Sequence, residues 1–269
     1  AAAGRKLPQP GLAPTVPGKP RPSSVIINTA RFWAWNGDVV ATSGVANDTV
    51  ANAQSYFLQI WDAKTLAMIF STKLARAGPV SVSRDGIVAV CGGNATLVVD
   101  ANARKVARTL ANGAYDIGCV DLTISPDGKR LTTLSRDDAH NAFPLDTFNV
   151  TSGEVINTFD AGLSKCAESA TGVFVPHCLA MSPNNTVAVG GAIVEKHGGV
   201  DVPVAARLNV LNHLSGEVLG YLHDHRDENV VHAEFTPDGK SVVIQTESSE
   251  RIVATQAQRF AVWDLAGEL

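Results

Sequence analysis

The chain has 269 residues, of which 45% are hydrophobic and 18% charged, enough to bury a substantial core as one large domain or two smaller ones. A formal net charge of -4 argues against a dedicated nucleic-acid surface. No run approaches the roughly 18 consecutive apolar residues of a membrane helix, so no membrane insertion is expected. The four cysteines have no C-x-x-C spacing and give no zinc signature. The composition is that of a soluble protein, with an intracellular setting favoured. The chain starts at Ala1 without a Met, so a targeting segment lying ahead of it is compatible with the sequence.

Residues 1–23 are Pro-rich, basic and nearly free of large apolar side chains, which reads as an arm or linker. The globular part is expected over residues 24–269 and begins with a lone strand, "SVIIN" (Ser24 to Asn28). A repeated unit follows. The first copy runs through "ARFWAW", the turn "WNGDVVAT" at Trp35, and "LQIWDAKTLAMI" with its Trp61-Asp62 corner. The second has "SRDGIVAV" at Ser83 and "LVVDANARKVARTL" with Val99-Asp100. The third has "SPDGKRLTTL" at Ser125 and "FNVTSGEVINTF" with Phe148-Asn149. The fourth has "SPNNTVAVGG" at Ser182 and "LNVLNHLSGEVLGYL" with Leu211-Asn212. The fifth has "TPDGKSVVIQT" at Thr236 and "FAVWDLAGEL" with Trp263-Asp264. Pro-Asp-Gly and Asn-Gly are tight-turn chemistry, because Gly or Asn accepts the positive φ of a hairpin corner. Each unit therefore predicts four short strands, a to d. Four-stranded antiparallel units repeating at ~40 to 50 residues predict an all-β fold, a β-propeller.

The repeats resemble the WD40 family over about nine-tenths of the chain. Trp61-Asp62 and Trp263-Asp264 match its closing dipeptide, the Ser-Pro-Asp-Gly-like turns match its a–b corner, and "HDHRDENVVHAEFTPDG" is similar to its Gly-His run, with Asp224-His225 in place of Gly-His. Three of the five repeats lack the Trp, and units two and three resemble YVTN-type bacterial propellers equally well. The resemblance implies structural roles for Trp61, Asp62, Trp263, Asp264 and the blade histidine His225. It also implies a ring closed by the N-terminal strand: "SVIIN" is spare, and only "LAGEL" remains for the last strand d. A segment of a larger ring is the alternative.

In such blades the a–b and c–d turns lie on one face, and the b–c and d–a connections on the other. The long segments all fall on the second: "SGVANDTVANAQS", "SRDDAHNAFP", "DAGLSKCAESATGVFVP", "VEKHGGVDVPVA" and "SSERIVATQAQ". Loops on a rigid scaffold are where binding residues concentrate. The expected partner-binding residues are Arg136, Asp137, His140, Lys165, Lys196, His197, Arg226, Glu250 and Arg251. His232 lies in strand a at the place of Asp121 and Cys178, which favours a blade role over a metal site for the "HDHRDENVVH" cluster. Cys166 and Cys178 bracket the d–a insertion and would suit a disulfide in an oxidising compartment, while Cys91 and Cys119 read as small buried hydrophobes. No cofactor, metal or catalytic residue is called for. The expectation is a non-enzymatic scaffold that docks protein partners within an assembly. The alternative is a five-bladed hydrolase acting on a glycan, with Asp137-Asp138 beside His140 and Asp227-Glu228 beside His225 as its acids.

Overall fold

A computed structural model of the chain describes residues 26–48, 53–111, 118–140, 142–161, 172–224, 228–248 and 258–265. The regular elements form five antiparallel sheets in chain order. Blade one is β1 (Ile26–Trp35), β2 (Val39–Asp48), β3 (Ala53–Asp62) and β4 (Met68–Leu74). Blade two is β5 (Val80–Val82), β6 (Ile87–Cys91), β7 (Ala95–Asp100) and β8 (Lys105–Ala111). Blade three is β9 (Gly118–Ile124), β10 (Arg130–Arg136), β11 (Pro144–Asn149) and β12 (Val155–Asp160). Blade four is β13 (Val173–Met181), β14 (Thr186–His197), β15 (Val200–Asn212) and β16 (Val218–Asp224). Blade five has three strands among the described residues, β17 (Glu228–Phe235), β18 (Ser241–Ser248) and β19 (Gln258–Asp264). Blades one to four pair in the order a, b, c, d, as the repeat predicts, and the described strands of blade five pair in the order a, b, c. The first strands of successive blades adjoin and form the hub.

Side chains alternate across each strand, so both faces of an internal blade are buried. In β15, Leu208 and Val210 pack with Val230, Phe235 and Ile244 of blade five. Leu211, in the opposite phase, packs with Leu134 and Leu145 of blade three. Equivalent cores join blades one and two around Leu58, Ile60 and Val88, and blades two and three around Val98, Leu131 and Phe148. Each fully buried Leu or Phe in these cores contributes roughly 1.5–3 kcal/mol. On blades one and five, Trp33 of β1 and Phe260 of β19 are each 71% exposed.

The N-terminal strand departs from expectation. Ile26, Ile27 and Asn28 pair with Asp48, Asn47 and Ala46, so the run expected to complete blade five is the start of strand a in blade one. A bulge between Ala30 and Phe32 lets the strand continue along the whole of β2. Pairing with an adjacent hairpin strand closes a far shorter loop than reaching across the ring, and so costs less chain entropy. No strand pairing joins blade five to blade one among the described residues.

The a–b and c–d corners are built by their own side chains. Asp62 Oδ1 accepts from Lys64 N and Thr65 N at 2.9 and 2.7 Å. Asn149 and Asn212 do the same for Thr151 and Ser152, and for Leu214 and Ser215. The Asn corners are thus chemical equivalents of the Asp corner. Ser125 and Thr236 donate to Asp127 and Asp238 at 2.6 Å within the a–b turns. These corners also stitch neighbouring blades, through Asn36 Nδ2 to Ser83 O at 2.7 Å, Arg84 N to Pro126 O at 3.2 Å and Asn184 Nδ2 to Asp238 O at 3.3 Å.

Between blades three and four the stitch is His213, which is fully buried. Its Nδ1 lies 2.8 Å from Asn185 O, and its Nε2 lies 2.8 Å from Arg130 Nη1. Only the neutral tautomer with the proton on Nδ1 satisfies both contacts. Burial holds the imidazole below its ordinary pKa, with the Arg130 charge adding to that. Unfolding therefore takes up a proton as pH falls through the unfolded value near 6.5. Urea titrations from pH 7.5 to pH 5 should show stability lost to acid at this site, and His213→Gln should lack that share of the slope.

Candidate functional site on the loop-bearing face

Antiparallel order sets all a–b and c–d turns at one end of the disc and all b–c and d–a connections at the other. The c–d turns span four or five residues in every blade that has one. At the opposite end the connections differ from blade to blade. Two segments expected as long loops are instead long hairpins. Most of "SGVANDTVANAQS" belongs to β2 and β3. Most of "VEKHGGVDVPVA" belongs to β14 and β15, which meet at the two-residue turn Gly198–Gly199 with φ of 61° and 85°. Two consecutive positive φ values make the kind of turn that matches strand twist, so the ladder runs to its tip. That tip carries exposed Lys196, His197 and Val200, the last 64% exposed. His197 Nε2 sits 3.6 Å from Glu195.

Blade three presents Arg136 and the turn behind it on the same face. Asp137 Oδ1 accepts from Ala139 N and His140 N at 3.1 and 3.3 Å, and Oδ2 lies 2.6 Å from His140 Nδ1. The hydrogen bond to His140 is the main cause holding the Asp137 carboxyl below its usual range. A carboxylate so held stays ionised at neutral pH, the wrong state for a general acid. Asp138 pairs with Arg136 at 2.6 Å, and Arg136 lies over the Phe143 ring at 5.8 Å. Glu228 is buried in blade five, where it accepts from Thr246 Oγ1 at 2.6 Å and pairs with Arg259 at 2.8 Å. It lines a cavity of about 230 Å³ with Ala206, Phe260 and Trp263. Each described acid of the alternative reading is therefore already engaged by a neighbour.

The hub strands carry the remaining polar groups. Asp121 accepts from Leu122 N at 2.8 Å and from Leu179 N of blade four at 2.7 Å. Burial nonetheless pushes its carboxyl up to about 7, the two amide bonds acting in the opposite direction. Cys178, at the matching place in blade four, is buried with its thiol 3.8 Å from Val230 O and forms no disulfide in the structure; Cys166 lies outside the described residues. The buried Cys91 thiol donates to Gly93 O at 3.7 Å and the Cys119 thiol to Asp121 O at 3.1 Å; the influence of the Cys91 thiol, and after it burial, pushes the Cys119 thiol well up. His177, which sequence reasoning did not single out, sits beside Cys178 on the β13 bulge. Desolvation, and after it the Arg136 charge, holds its imidazole below the ordinary value.

Of the expected binding residues, Arg136, Asp137 and His140 come together in one turn, and Lys196 and His197 share the blade-four tip. Lys165, Arg226, Glu250 and Arg251 lie outside the described residues, as does the blade histidine His225. Trp61 donates from Nε1 to Thr42 Oγ1 at 3.4 Å, and Trp263 packs against the core between blades four and five. Among the described residues no helix is long and apolar enough to cross a membrane.

This architecture is a β-propeller, and solved structures agree. The chain is similar to the β-propeller domain of Cps50 (Swd1) from Myceliophteria thermophila, at 14% identity and a TM-score of 0.54 over 88% of this chain and 73% of that one. It is similar to Kuenenia stuttgartiensis hydrazine synthase, at 15% identity and a TM-score of 0.56 over 88% of this chain. It is also similar to the β-propeller domain of the trilobed protease from Pyrococcus furiosus, described as having an open velcro topology, at 13% identity and a TM-score of 0.51 over 88% and 69% of the two chains. The chain spans 63% of the length of the hydrazine synthase chain. At these identities the likeness is one of fold. No family model and no curated protein sequence matches the chain.

Proposed function

We propose that the protein is a non-enzymatic interaction scaffold that docks a protein partner on its loop-bearing face. The observation that supports this reading is the asymmetry of the two faces. One is a set of short turns bonded to themselves and to adjacent blades; the other raises the β14–β15 hairpin and the Arg136–His140 turn, tipped with exposed charge and an exposed valine. Interfaces draw most of their energy from a few anchors, arginine prominent among them. Exposed charges contribute little to folding, so such anchors are replaceable without loss of structure. Native co-purification with mass spectrometry, run on three proteins, tests the reading. Arg136→Ala combined with Lys196→Ala and His197→Ala should lose the partner recovered with the unaltered chain, by tenfold or more, with stability changed by less than about 1 kcal/mol. Lys64→Ala, Arg104→Ala and Lys129→Ala together, on the turn face, should retain it. A reversal of the two results would assign binding to the turns. Hydrolysis of an arabinan-like oligosaccharide, lost in Asp137→Asn, would replace the scaffold with a hydrolase.

A further inference from the structure

Arg207 of β15 is a buried cation without a counter-charge among the described residues. It is 6% exposed, and its Nη1 has no hydrogen-bond partner. Its Nε donates to Asn209 Oδ1 at 2.8 Å, and its guanidinium lies over the Tyr221 ring at 4.5 Å. Among the described residues no carboxylate pairs with it. Arginine does not shed its proton in a protein, and an uncompensated buried charge is strongly unfavourable.

Blade five displays the same position with its partner present. Leu211 pairs with Val187 and Trp263 with Val242, so Arg207 and Arg259 occupy equivalent places four residues back in strand c. Arg259 meets Glu228 at 2.8 Å, and Thr246 Oγ1 donates to the second oxygen of that carboxylate. Glu228 and Phe174 each stand seven residues before the strand-a residue that pairs with Val242 or Val187, Phe235 and Met181 respectively, and both strands carry a bulge at the same step. Thr246 and Gly191 pair with the two arginines. Blade four therefore keeps the arginine but has a fully buried Phe174 where blade five has the acid, and Gly191 where it has the threonine.

We infer that Arg207 is a binding site for a carboxylate supplied from outside the fold. The guanidinium is already oriented by Asn209 and stacked on one side by Tyr221, so little freedom of the arginine is lost on binding. Blade five indicates the matching chemistry, since its arginine takes a carboxylate. Tyr221 is 46% exposed on the outermost strand of its blade and covers the buried guanidinium, so a carboxylate reaches Nη1 from the rim of the blade when that ring swings aside. The site is thus separate from the loop-bearing face and does not rest on the scaffold reading.

The carboxylate could belong to a small acid or to an acidic side chain of a bound polypeptide, and calorimetric titration at constant ionic strength separates the two. The probes are glutarate and a capped alanine pentapeptide with one central glutamate. Saturable binding of glutarate points to a small acid, and tighter binding of the peptide points to a polypeptide. In either case Arg207→Met should weaken it at least tenfold while melting at or above the temperature of the unaltered protein, because it removes an unpaired buried charge. Arg207→Lys, which keeps the charge but not the planar fork, should also weaken binding and serves if the methionine variant does not fold. Absence of saturable binding by both probes, or equal binding by the variants, would overturn the assignment.

Discussion

Gly191→Ala is expected to destabilise the protein by about 3 kcal/mol or more, well beyond an ordinary surface substitution. Gly191 lies opposite Pro176 at the bulge in β13, where strand a swings close to strand b. A Cβ there would be driven into the Val175 carbonyl oxygen and the Pro176 Cα. Both obstacles are backbone, so no rotamer change relieves the clash, and the two strands must separate. Gly44 occupies the equivalent place opposite the blade-one bulge and would strike Thr29 O and Ala30 Cα in the same way. Gly198→Ala is the control. Its φ of 61° is unfavourable to alanine, but its surroundings are open, so roughly 1 kcal/mol is expected. Urea unfolding of the three proteins measures the comparison. A Gly191→Ala protein as stable as Gly198→Ala would show that the bulge does not bring the strands as close as described.

Asp121→Asn is expected to change how stability depends on pH, and to raise stability at pH 8 by about 1–3 kcal/mol. Burial lifts the native carboxyl to about 7, against about 3.9 for an exposed aspartate. The folded chain therefore holds a proton between about pH 4 and pH 7 that the unfolded chain has released. Stability from this group is full below pH 4 and is lost as pH rises towards 7, after which it is level. Asparagine keeps an acceptor for Leu179 N, 2.7 Å away in the native chain, and carries no charge to desolvate. The contribution runs opposite in sign to that of His213, so the two must be separated as differences between each variant and the unaltered chain. If the Asp121→Asn difference were the same at pH 4.5 and pH 8, the carboxyl would titrate at its ordinary value in the fold.

Elements whose cause lies within a few residues were legible in the sequence. The Asp62, Asn149 and Asn212 corners bond to backbone amides two and three residues ahead, so their chemistry could be read from short strings, even where the Trp was missing. The same is true of the Ser125 and Thr236 turns, and of the placing of Asp121, Cys178 and His232 at one position of strand a. The Gly198–Gly199 pair is itself a hairpin signal, but the polar residues at the tips of its flanking strands, which no core demands, make the segment read as a loop.

By itself, then, the sequence determined the local code: where each turn falls, how many sheets follow, and which strands are apolar on both faces. Those are consequences of φ preference and of period-two alternation, which act over a few residues. The tertiary structure alone decided everything that depends on partners far along the chain. Ile26–Asn28 joined blade one because β2 extends far enough to receive them. Asp121 lost solvent to a strand that begins 52 residues later, and His213 gained Arg130 from 83 residues away. Among the described residues Arg207 has no acid beside it because the place held by Glu228 in blade five is filled by Phe174 in blade four, a fact visible only when the two blades are laid one on the other. Desolvation and pairing are properties of the assembled neighbourhood, and no short string of residues contains them.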